Sequence, residues 1–170
     1  LHSDAAPLSA AALQWAQSQG FTPEKFNELA TSLQIRGADV DGALSIPFLE
    51  DGQQVGLQTL RFMGVTDQLE PVRTVGACGG FYNASALWEL TARDQPIIVA
   101  DSILACWAFL AAGKRRVVAL PYLRPIGSRR WECIDATRDF WEASQIVLAV
   151  ADPEIRDDLA AQFGRARCRW

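Results

Sequence analysis

The strongest constraint lies in the second half of the chain, where short apolar runs alternate with helical stretches. Residues 96–100 (Pro-Ile-Ile-Val-Ala) read as a buried strand, and residues 102–112 as a helix that Gly113 ends. Residues 115–120 read as the next strand, residues 135–143 as a helix and residues 145–150 as a third strand. Pro153 then opens a helix to Phe163, and residues 165–170 can add an edge strand. Strands apolar throughout, separated by helices, imply a parallel sheet covered on both faces. The expected fold class is therefore α/β. The most apolar window, residues 97–113, is broken by Asp101 and Ser102. It is too interrupted for a membrane span, so no transmembrane segment is expected.

The first half has a different rhythm. Residues 8–19 suggest a short helix capped by Ser9 and stopped by Gly20. Thr22-Pro23-Glu24 opens a second helix whose apolar stripe is Phe26, Leu29, Ala30 and Leu33. Residues 43–49 and 54–61 flank Glu50-Asp51-Gly52 and read as a hairpin. A short strand follows near residues 72–75, and residues 84–93 look helical. Two subdomains are expected, an α+β one over residues 1–83 and an α/β one over 84–170.

Twenty acidic side chains against sixteen basic ones give a formal charge of −4. That balance disfavours a general polyanion binder, because holding nucleic acid takes a surplus of positive groups. Local basic patches remain at Lys114-Arg115-Arg116, Arg129-Arg130 and Arg165, Arg167 and Arg169. The first two could contact nucleic acid or an acidic partner, or could be solvated turns. The six tryptophans are many for 170 residues. Trp107 is expected in the core, whereas Trp131 and Trp141 could be core or could anchor a protein interface. Cys78, Cys106, Cys133 and Cys168 lie far apart without C-x-x-C pairing, which excludes a zinc ribbon and favours buried free thiols. His2 reads as solvent-exposed rather than as a ligand.

Gly20-Phe21-Thr22-Pro23-Glu24-Lys25-Phe26, the stretch from Ile46-Pro47-Phe48 through Asp51-Gly52 to Val55-Gly56, and Phe81-Tyr82-Asn83 together resemble the primase core of the bacteriophage primase–helicases and of Twinkle, the mitochondrial replicative helicase. Residues 97–113 are similar to the opening of a Toprim domain, "IVVxEGExDALALxxAG". Val117-Val-Ala-Leu-Pro121 resembles its second strand, and Val150-Ala151-Asp152-Pro153-Glu154-Ile155-Arg156 its "DxDxAGR" turn.

The resemblance implies an acid/base Glu after the first strand and paired Asp residues holding one or two Mg²⁺ ions. Here Asp101 replaces that Glu, Ser102 the following Gly, Ala105 the second acid and Val150 the first Asp of the pair; Asp152 remains. Gln58 stands where the family tends to have Lys, with Arg61 close by. Losing an acid/base group or a metal ligand removes about 10²–10⁴-fold of rate. The expectation is thus a pseudoenzyme with no catalytic residues, in which Asp101 and Asp152 are vestigial. Asp101, Asp152 and Glu154 form only a weak Mg²⁺ candidate, no other cofactor is expected, and both aspartates are expected to act as helix caps.

No zinc ribbon and no G-x-x-x-x-G-K-[ST] loop occur in the sequence, so phage-type template recognition and a helicase motor are not expected. The start at Leu1 without Met fits processing of a longer precursor and equally a trimmed chain. The expected role is a structural or accessory subunit of a larger organellar, mitochondrial-matrix assembly, such as a respiratory or ATP-synthase complex or a ribosome, with protein subunits as partners. Alternatives are a single-stranded nucleic-acid-binding replication factor and a Mg²⁺-dependent nucleotidyl transferase or nuclease.

Overall fold

The computed structural model describes residues 7–40, 42–50, 52–63, 69–89, 92–121, 131–141 and 144–170. It mixes helices with an antiparallel and a parallel sheet, the α/β class expected. Two compact units are present: residues 1–49 with 53–78, and residues 50–52 with 79–170.

In the first unit α1 (Ala10–Ser18) starts at Ser9, whose hydroxyl accepts the Ala12 N–H at 3.1 Å. α2 (Pro23–Ser32) starts at Thr22, which accepts from Lys25 N at 3.2 Å, with Pro23 in the first turn where no N–H is needed. β1 (Arg36–Gly37), β2 (Ala43–Glu50), β3 (Gln53–Phe62) and β4 (Leu69–Gly76) form a sheet in that order. β2 and β3 are the expected hairpin, with Gly52 at φ 76° in its turn. The Trp15 and Phe62 rings stack with centroids 5.4 Å apart, tying α1 to the end of β3. β4 is twice the length expected and ladders with β3 from Gly56↔Gly76 to Phe62↔Leu69, with a bulge between Thr59 and Leu60. Its Glu, Pro and Arg, all on an exposed strand, hide it from a reading based on apolar alternation.

The Gly of the hairpin motif has a steric reason. A Cβ on Gly56 would lie 2.5 Å from the Ala77 carbonyl oxygen and 2.6 Å from Cys78 Sγ. Its partner Gly76 is at φ 75°, a conformation that side chains rarely adopt. The two backbones meet closely because neither residue carries a side chain.

The second unit is built on β5 (Ile97–Ala100), β6 (Val117–Ala119), β7 (Ile146–Ala149) and β8 (Cys168–Arg169), all parallel, in the order β6-β5-β7-β8. α3 (Ile103–Ala111) connects β5 to β6, and α6 (Pro153–Phe163) follows β7. All four β5 residues are buried, as a strand covered on both faces must be. Trp141 lies in the core at 2% exposure, its ring 5.3 Å from Phe81 and 4.6 Å from Phe163.

Two expected helices take other forms. Residues 84–88 make only a 3₁₀ turn, Ala84–Trp88, which ends where Glu89 becomes extended at ψ 96°. The helix expected over 135–143 is two short pieces, α4 (Glu132–Asp135) and α5 (Arg138–Trp141). Between them Thr137 donates its hydroxyl to the Cys133 carbonyl at 2.7 Å and accepts from Trp141 Nε1 at 2.8 Å. A threonine bonded back to the preceding turn competes with helix continuation. The edge strand expected over 165–170 narrows to β8, preceded by a 3₁₀ turn, Arg165–Arg167.

Phe81-Tyr82-Asn83 closes the β6 edge. Tyr82 and Ala119 exchange backbone hydrogen bonds of 3.0 and 3.1 Å, and Asn83, at φ 58°, donates its side-chain amide to the Val117 carbonyl at 2.9 Å. The Tyr82 hydroxyl accepts from Trp107 Nε1 at 3.1 Å. Beside it the buried Cys106 thiol points at the Val117 carbonyl, 3.8 Å away. All four cysteines are buried thiols outside any disulfide, as the spacing suggests.

Gly56→Ala is expected to lower stability by about 1–3 kcal/mol, because the new methyl must displace backbone, and a urea titration checks it. Burial pushes the Cys106 thiol well above its ordinary 9.0. Once the pH passes that ordinary value, the unfolded chain releases a proton that the native chain keeps, so stability falls as pH rises. The unfolding free energy from urea titrations should drop by up to about 1.4 kcal/mol from this thiol between about pH 9 and about pH 10, with a shallower decline in Cys106→Ala.

Candidate functional site

The sheet order places a reversal between β5 and β7: the chain leaves β5 for β6 on one side, while β7 lies on the other. In open parallel sheets such a switch point opens a crevice at the carboxyl ends of the two strands, where ligands bind. Asp101 follows β5 there, and Val150, Ala151 and Asp152 follow β7. The fold thus brings Asp101 and Asp152 to neighbouring strand ends.

Each carboxylate is engaged by backbone. Asp101 Oδ2 accepts the Ala151 N–H at 3.2 Å, bridging the β5 end to the loop after β7. Asp152 Oδ1 accepts from Glu154 N at 2.9 Å and Ile155 N at 3.3 Å, the N-cap of α6. The expectation of two caps therefore holds for Asp152 and is corrected for Asp101. Ser102 caps α3, its hydroxyl accepting from Ala105 N at 3.2 Å. The signal was present in the sequence, a serine directly before an apolar helical run. Val150, where the resemblance leads to a carboxylate, is buried at 6% exposure. Glu154 is exposed in the first turn of α6. Among the described residues no three His, Cys, Asp or Glu side chains converge as a cation site would require.

The other candidates separate. Lys114 and Arg115 are exposed on the turn before β6, but Arg116 is buried at 5% exposure. Its Nη1 donates to the carbonyls of Arg93 at 3.3 Å and Gln95 at 3.0 Å, and its Nη2 to Ser144 Oγ at 3.3 Å. Burial, then the nearby Arg93 charge, lowers its pKa below the usual guanidinium range. As a contact residue Arg116 is corrected: it stitches the segment before β5 to the segment before β7. Trp131 and Trp141 are buried in the same core, which resolves that open choice toward packing. Arg129, Arg130 and His2 lie outside the described residues. Gln58, in the position of a family lysine, is 1% exposed with its Oε1 buried and unpartnered, and Arg61 is exposed. Arg156 lies over the Trp170 ring at 5.6 Å, a contact that no local sequence pattern signals.

Asp101→Ala should lower stability by about 1 kcal/mol, since the Ala151 N–H loses its acceptor, and Asp101→Asn should lose less than half of that. Denaturation midpoints of the two variants test this.

No protein-family model matches the sequence, and no curated protein matches it. Solved structures do. The zinc-binding and RNA polymerase domains of the Aquifex aeolicus primase align over 90% of this chain and 46% of that one, at 12% identity and a TM-score of 0.60. The primase fragment of the bacteriophage T7 primase–helicase aligns over 99% and 70%, at 13% identity and 0.60. The DnaG catalytic core aligns over 91% and 59%, at 14% identity and 0.59. The chain spans about half the length of the Aquifex chain. What the molecule shares with these structures is the fold of a primase catalytic core.

Proposed function

We propose that the chain is a catalytically silent primase-core-like protein that acts through its shape and surface as an accessory or structural subunit of a larger assembly. The observation that carries this reading is the double commitment at the switch point. Asp101 is bound to Ala151 N and Asp152 caps α6, while Val150 and Ala105 stand where further acids would be needed. A hard divalent cation wants several oxygens converging at strand ends, and these residues do not fit that requirement. The likeness to Twinkle supports an organellar, mitochondrial setting, with a respiratory or ATP-synthase complex or a ribosome as the kind of host.

A second reading, binding of single-stranded nucleic acid without catalysis, is favoured by the arginines gathered around the end of β8. Mg²⁺-dependent nucleotidyl transfer is the reading that the following experiment would revive. Thermal melting with Mn²⁺ at about ten times a given Kd would add about 1.4 kcal/mol if a site existed. The expected result is no shift at millimolar Mn²⁺, and no template-directed product above that of Asp101→Asn. A melting shift of several degrees that Asp101→Asn abolishes would overturn the proposal.

A further inference from the structure

Three neighbouring strands begin around one buried cation. Arg116 precedes β6, Arg93 and Gln95 precede β5, and Ser144 precedes β7. They sit at the amino-terminal ends of these strands, whereas Asp101 and Asp152 follow the carboxyl ends. Arg116 is 5% exposed, and its hydrogen-bond partners are all neutral: the Arg93 and Gln95 carbonyls on Nη1 and the Ser144 hydroxyl on Nη2. Among the described residues no carboxylate forms an ion pair with it, the exposed Asp94 and Asp139 included. Burial lowers its pKa, and the charge of nearby Arg93 lowers it further. A buried charge is ordinarily matched by an opposite one, and Arg116 is matched only by dipoles.

The unmatched charge has a definite geometry. Nε and Nη2 lie on one edge of a guanidinium, an edge that takes both oxygens of a carboxylate or phosphate. In Arg116 this edge holds a single hydroxyl oxygen, at 3.3 Å from Nη2, while Nε is buried without a hydrogen-bond partner. Ser144 is half-buried, in the connection between α5 and β7 and next to the exposed Gln145. Its own proton goes to the Phe140 carbonyl at 3.1 Å, a bond that an esterified oxygen gives up.

We propose that Ser144 is a phosphorylation site whose phosphoryl group closes on the half-filled edge of Arg116. In the transfer the Ser144 oxygen attacks the γ-phosphorus of a nucleoside triphosphate held by a protein kinase. The bond to the β-phosphate oxygen breaks, the nucleoside diphosphate leaves, and the hydroxyl proton passes to a base of the kinase. The ester carries close to two negative charges and three acceptor oxygens, which serve Nε and Nη2 together and offset the charge of Arg93. A charged acceptor is worth roughly twice a neutral one. The modification thus tightens the join between the starts of β5, β6 and β7. A free anion is less suited, because the Ser144 hydroxyl already holds the Nη2 side of the edge.

Phosphoserine is placed at residue 144 of the full chain by amber suppression, and its phosphorus resonance is followed against pH. Its second ionisation, ordinarily at about pH 6, is expected at about pH 5, a tenfold preference for the dianion in the folded chain. Urea titration at about pH 7 should give an unfolding constant about tenfold below that of the unmodified chain. Because the folded-state ionisation is the lower one, this gain is complete above about pH 6 and fades as pH falls through about 5. Arg116→Lys, which keeps the charge and loses the two-nitrogen edge, should give back most of both effects. Ionisation at the ordinary pH, or a chain no more stable once phosphorylated, would overturn the proposal. So would a lack of phosphate on Ser144, by mass spectrometry, in the chain isolated from its native cells. Equal stabilisation of Ser144→Ala by millimolar inorganic phosphate would overturn it in favour of a free-anion site.

Discussion

The second unit depends on β5, four buried residues hydrogen-bonded on both edges. Because β5 pairs with β6 on one side and β7 on the other, the chain must cross the sheet in opposite senses. That reversal sets Asp101 and Asp152 at neighbouring strand ends. The same strand explains why the carboxylates are occupied. Backbone amides beyond a strand end have no ladder partner, and a short acid next to them is the nearest acceptor. Asp101 meets that need for Ala151, and Asp152 for the first turn of α6. Both carboxylates thereby stabilise the strand ends.

The buried cation Arg116 serves the same scaffold. Its guanidinium binds two carbonyls and a hydroxyl rather than a carboxylate, across segments that precede β5 and β7. Removing it would leave several acceptors unpaired at once. A three-residue basic run thus divides by role, with Lys114 and Arg115 at the surface and Arg116 inside. Nothing in the composition of the run distinguishes them, since the difference lies in the tertiary position of the turn.

Where periodicity is strong, the sequence is a good guide to this fold. The hairpin, the parallel strands, the Ser9 and Thr22 caps and the Pro153 helix all follow from local chemistry that the structure repeats. β4 was underestimated because its polar residues fit an exposed edge as well as a loop. The helix expected over 135–143 was broken by one hydroxyl at Thr137, a competition invisible to a hydrophobic pattern. At the candidate site the positions of Asp101 and Asp152 were legible from motif likeness, but the cap of α3 is Ser102 rather than Asp101. Arg156 lies in α6 and Trp170 just beyond β8, and only the folded chain brings them together.

The Tyr82 bridge has a consequence for how the second unit can associate. With Tyr82 and Asn83 fastened along β6, and only two residues of β8 at the opposite margin, this parallel layer presents no long row of unpaired amides among the described residues. Strand addition from another molecule would therefore find only short edges on this layer.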